Sequence, residues 1–117
     1  MAPRLPIFFR WLVAAESSPS TDEVFRIVQS SPTSVSVTTN SSVILPANPD
    51  RKLVTIVNRG SAIVYLNYGA TAIVNAGIGL NPGGSSHVLN TREINYKGVI
   101  SAVTSSGTAM LEMMESI

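Results

Sequence analysis

His87 is the only histidine of the chain, and general acid–base or nucleophilic catalysis around it would need a carboxylate to orient its ring. Only two aspartates exist, Asp22 and Asp50, and neither is spaced to serve it; no nucleophile elbow occurs. The paired carboxylates Asp22–Glu23 and Glu112 with Glu115 read as solvated surface, since glycosidase acids face each other across a cleft from separate elements. Cysteine is absent, so thiol chemistry and thiolate metal sites are excluded, and no histidine cluster or Asp-rich calcium loop replaces them. Gly77-Ile78-Gly79 lacks the third glycine of a dinucleotide fingerprint and runs into Pro82. Turn geometry accounts for it. Asn40-Ser41-Ser42 matches a glycosylation acceptor that arises often by chance. The expectation is a protein with no catalytic, cofactor or metal site.

Charge adds a second exclusion. Eight Lys/Arg balance seven Asp/Glu for a net charge of +1, and the densest basic group is only Arg51, Lys52 and Arg59. Nucleic-acid binders draw most of their affinity from phosphate neutralisation and carry a basic stripe, so nucleic acid is not an expected partner. Charged residues make up 13 % of the chain, about half the usual share. The surface is covered instead by 16 Ser, 9 Thr and 8 Asn. Such a surface repels its neighbours weakly and suits packing against another subunit.

These residues are carried on β-structure. The 117 residues fit one domain. Val24 to Gln29 reads as a short strand, and Thr33 to Thr39 alternates, Val35 and Val37 facing one way and Ser34, Ser36 and Thr38 the other. Ser41 to Leu45 continues before Pro46. Leu53 to Asn58 and Ala62 to Tyr68 are nearly unbroken apolar runs across Asn58-Arg59-Gly60-Ser61, which predicts a hairpin of two central strands covered on each face. Thr71 to Val74, Ile78 to Leu80 and Ser85 to Leu89 follow as short strands, with Asn81-Pro82-Gly83-Gly84 suited to a type II turn. Gly98 to Thr104 and Thr108 to Glu115 predict a closing hairpin around Ser105-Ser106-Gly107. Met110, Met113 and Met114 also fit a helix face, but a tight Gly turn leaves no room for a cap. Short strands at this spacing indicate an all-β domain, a jelly-roll-like β-sandwich over 21–117 or, alternatively, a small β-barrel.

Residues 1–20 are different. Leu5, Ile7, Phe8, Phe9, Trp11 and Leu12 concentrate two of the three Phe and the only Trp on a terminal segment closed by Ser17, Ser18, Pro19 and Ser20. Pro3 and Pro6 favour an extended start, with a helical turn from Phe8 to Ala15 as the alternative. Arg10 interrupts the apolar stretch, against a signal peptide, and the run is far below the roughly 20 residues a membrane helix needs. No membrane partner is expected. These six apolar residues are the expected protein interface of an extended N-terminal arm. Burying each is worth roughly 1.5–3 kcal/mol, against about 1–2 kcal/mol per residue for ordering the arm. The two nearly cancel, so repeated attachment within an oligomer would supply the avidity.

Between Leu45 and Met114 the chain carries Asn48-Pro49-Asp50-Arg51, then Tyr65-Leu66-Asn67-Tyr68-Gly69, then Gly77-Ile78-Gly79-Leu80-Asn81-Pro82-Gly83-Gly84, and finally Gly98-Val99-Ile100-Ser101-Ala102. In this order of turns and strands it resembles a recurrent module of small tailed-bacteriophage virion proteins. The resemblance implies a structural protein of the virion, assembled in the host cytoplasm. Within that class it implies a capsid decoration (cement) protein, often a trimer, that stabilises the head by clamping neighbouring major capsid subunits. A tail, baseplate or head-fibre component is the alternative within the same class. A carbohydrate-binding β-sandwich is the alternative of another class; Tyr65, Tyr68 and Tyr96 would have to form its aromatic platform, and two of them fall in an expected core strand.

Overall fold

A computed structural model describes residues 26–117, all of it β-strand and connecting loop. The 1–20 arm, including Leu5, Ile7, Phe8, Phe9, Trp11 and Leu12, lies outside the described residues. Eight strands form among the described residues: β1 (Ser30–Val37), β2 (Ser42–Leu45), β3 (Leu53–Asn58), β4 (Val64–Tyr68), β5 (Ile78–Leu80), β6 (Ser86–Asn90), β7 (Ile100–Thr104) and β8 (Ala109–Ser116). They make two four-stranded antiparallel sheets, ordered β1-β8-β3-β6 and β2-β7-β4-β5. Only β4 and β5 are sequence neighbours paired in one sheet; every other connection crosses between the layers. This is a jelly-roll-like sandwich.

That winding corrects both expected hairpins. Asn58-Arg59-Gly60-Ser61 carries the chain from the first sheet to the second, and Ser105-Ser106-Gly107 carries it back. A short Gly-containing link reads alike whether it folds a strand onto its neighbour or steps across a sandwich. Asn58 shows the device. Its buried amide donates from Nδ2 to the carbonyls of Ala62 and Leu80 (2.8 and 2.9 Å) and accepts at Oδ1 from Gly60 N (2.9 Å), so the crossing is closed by a side chain. The final segment is strand, and Gly83 takes the positive φ of 88° that a Pro-Gly turn requires. No strand forms over 26–29 or at Thr71–Val74.

Alternation sets the layers. In β8, Ala109, Leu111 and Met113 point inward while Met110, Glu112 and Met114 point out. Inside, Val54, Ile56, Leu89 and Leu111 of the first sheet meet Val64, Leu66, Leu80 and Ile100 of the second, all essentially without solvent exposure. Both β3 and β4 are central, as expected, but in different sheets. Each buries one face in this core, while Leu53, Thr55 and Val57 of β3 stay half-exposed on the other. Gln29 and Ile117 exchange both backbone hydrogen bonds, so counting in twos turns Pro32 toward the open edge of β1. Its missing N–H therefore costs no ladder bond, and it blunts that edge against strand addition.

Candidate interaction surfaces

Register places the start of β1, the end of β8, the β2–β3 loop and the β6–β7 loop at one end of the sandwich. Most of the charge gathers there: Arg26, Asp50, Arg51, Lys52, Arg92, Glu93, Lys97 and Glu115. Arg51, part of the densest basic group of the sequence, is wholly buried. Its Nε donates to Glu115 Oε2 at 2.6 Å, and its two terminal nitrogens donate to the carbonyls of Gly98 and Pro46, each at 2.8 Å. One guanidinium thus fastens three segments, the loops leaving β2 and entering β7 and the strand β8. The turn that delivers it is held by Asn48, whose Oδ1 accepts from Asp50 N and whose carbonyl accepts from Arg51 N. Nearby, Val28, Pro49, Lys52, Lys97 and Ile117 line an open hollow of about 400 Å³.

His87 lies on the edge strand β6 and pairs with Ile56, so its ring faces inward. Tyr68 Oη is 2.6 Å from its Nε2, and Tyr68 stacks on Tyr96 with centroids 5.0 Å apart. Tyr96 in turn donates to the Val99 carbonyl at 2.5 Å. Burial pushes the imidazole below its ordinary pKa and the Tyr68 phenol above its own. Neutral forms suit a plug that closes the space between the two sheets. Tyr65 points outward and donates to Asn75 Oδ1 (2.9 Å), so the three rings form no shared platform. Among the described residues, no group of three His, Asp or Glu side chains could hold a metal ion.

The outer faces of the two sheets differ. On the first, Met110, Met114 and Val88 are exposed, and Glu112 stands 4.0 Å from Arg59. A hollow of about 210 Å³ opens there among Pro32, Thr55, Val57 and Met114. On the second, Ser101 and Val103 of β7 point away from the core yet are buried. The β4–β5 loop folds back over this face as a shelf. Asn67 Nδ2 donates to the Thr71 carbonyl, Ala72 N to Ser41 Oγ, and Ala76 N to the Ile73 carbonyl, at 2.8, 2.8 and 3.1 Å. Asn75 and Gly77 adopt the positive φ values of 66° and 78° that let it turn. Beneath it the Ser101 hydroxyl has no hydrogen-bond partner among the described residues. At the crest Ile73 is 64 % and Val74 37 % exposed, beside a hollow of about 70 Å³ lined by Asn67, Thr71, Ile73, Ala76 and Gly77. The sequence expectation of a strand at Thr71–Val74 hides this shelf, because two β-branched residues in a row are also what a strand would show.

The fold defines a class, the double-sheet antiparallel sandwich, and known structures share it. The stem and receptor-binding domain of the spike protein P1 from bacteriophage PM2 is similar with a TM-score of 0.52 and 13 % identity, over 69 % of this chain and 31 % of that one. An HTH_3 family transcriptional regulator from Vibrio cholerae is similar with a TM-score of 0.51 and 6 % identity, over 75 % of this chain and 43 % of that one. A de novo designed double-stranded β-helix gives 0.46 at 18 % identity, over 74 % of this chain and 99 % of that one. The chain therefore spans less than half the length of the first two. No protein-family model matches the sequence, and no curated protein matches it. At such identities the likeness is one of fold, which a spike and a transcriptional regulator can share without sharing a task.

Proposed function

We propose that this chain is a structural protein of a bacteriophage virion, a decoration (cement) protein that binds neighbouring coat subunits on the head. The observation that carries the reading is what the resemblance motifs do in three dimensions. Arg51 clamps three segments, Gly77 fits against the Leu66 carbonyl, Pro82-Gly83 makes a sheet-to-sheet turn, and Ile100 and Ala102 fill the core. These shared residues build a scaffold, and none of them gathers into reactive chemistry. The fold likeness to a phage spike domain is consistent with that class. Leu5, Ile7, Phe8, Phe9, Trp11 and Leu12 are then the segment that engages coat subunits, as part of a homo-oligomer, with no enzymatic step involved.

The test is immunogold labelling of purified particles with antibody against this chain, alongside particles assembled with protein lacking residues 1–20. Regular labelling over the head, lost with the truncated protein, is the expected result. Labelling confined to the tail moves the protein to the tail or baseplate. Unlabelled particles sink the virion reading altogether.

A further inference from the structure

We infer that the outer face of the second sheet is a contact between copies of this chain, Ile73 and Val74 of one copy seating against the shelf of the next. The inference rests on the assembly reading above and adds the surface and the partner. Its first support is the distribution of charge. Residues 38–45, 60–91 and 98–111 contain no Lys, Arg, Asp or Glu, and they supply all four strands of this sheet, the shelf and the turns beside it. Soluble surfaces ordinarily carry a quarter or more of charged residues, whereas the centres of protein interfaces are depleted of them.

The second support is rigidity. Ile73 and Val74 are apolar and β-branched at the tip of a loop, where small polar residues are the norm. The shelf is tied down by Asn67, Ser41 and Tyr65, so these side chains are presented in one geometry. Binding through them costs little further ordering. Val43, on the edge strand β2 of the same sheet, adds exposed apolar surface.

The occupant follows from what lies side by side on the patch. Ile73, well exposed, stands beside the hollow of about 70 Å³ that it helps to line. A knob next to a hole on one surface is self-complementary, which two or three copies satisfy by exchanging knobs about a symmetry axis. An uncharged patch meets its own copy without repulsion. A charged partner would instead be stripped of water with nothing to pair against. The first sheet, with Glu112 and Arg59 on its outer face, is the natural control.

The experiment is analytical ultracentrifugation of the full chain over a wide concentration range, with Ile73→Asp, Val43→Asp and Met114→Asp as variants and circular dichroism to confirm the fold of each. A dimer or trimer for the native chain and for Met114→Asp is expected. Ile73→Asp and Val43→Asp should weaken association on the order of 10²–10³-fold, the effect of burying an unpaired carboxylate. A native chain that stays monomeric throughout overturns the inference, as does dissociation by Met114→Asp while Ile73→Asp assembles normally. A monomer that nevertheless labels phage heads removes this contact alone. An oligomer that labels no particle removes the virion reading alone.

Discussion

Most of the polar side chains buried in this sandwich are tied to backbone. Arg51, Asn58, Thr91 and Thr104 each donate to main-chain carbonyls, which is how a thin two-layer protein holds its loops without disulfides. His87 is held differently, against the Tyr68 phenol, and its burial predicts a dependence of stability on pH. Its pKa in the fold is depressed by burial below the ordinary 6.5, so the unfolded chain takes up the proton first as pH falls. The stability His87 supports is full above that value and drains away as pH drops through the folded pKa. The raised pKa of Tyr68 acts at the opposite limit, supporting the fold up to about its ordinary 10.0 and losing effect above it. Urea unfolding at about pH 7.5 and about pH 5.5 tests the acid side, since His87 is the only side chain whose ordinary pKa lies in that window. The native protein should lose stability between the two, and His87→Gln should lose clearly less. Equal losses would place the acid sensitivity elsewhere.

At the scale of elements, strands were legible in the sequence and their partners were not. Val35 and Val37 against Ser34 and Ser36, or Leu111 and Met113 against Met110 and Glu112, announce a half-buried strand by period alone. Which sheet a strand joins depends on where a short link points, and Gly60 or Gly107 carries no such direction. The shelf was hidden for a related reason, since Ile73 and Val74 look like strand and their exposure arises only from packing. The buried state of Arg51 was equally invisible, because its acceptors lie at positions 46, 98 and 115. Glycines make these local constraints measurable. Gly77 has φ 78°, and a Cβ on it would run into the Leu66 carbonyl oxygen; Gly83 has φ 88° with open space around it. Gly83→Ala should therefore cost only the backbone strain, about 1–2 kcal/mol. Gly77→Ala should cost that strain plus a displaced carbonyl, at least about twice as much, read as the shift in urea midpoint. Equal costs would mean that the shelf yields freely.

For the molecule as a whole, connectivity makes the two sheets interdependent. Because the chain changes layer at all but one connection, neither sheet can form from a contiguous stretch of sequence. Arg51 concentrates this dependence, since it joins the exit of β2 and the entry of β7, both in the second sheet, to β8 in the first. Replacing it by Ala strands the Glu115 carboxylate and two carbonyls at a packed end of the sandwich. Removing one partner of such a pair costs about 3–5 kcal/mol, a large share of the 5–15 kcal/mol that holds a typical domain. Arg51→Lys keeps the charge but cannot reach three acceptors at once, so it should recover little. Both variants should still unfold in a single transition, at lower denaturant, with hydrogen exchange of β4 in the second sheet and of β8 in the first changing together. Two separated transitions would show that the sheets are independent units merely lying side by side, and the clamp a local one.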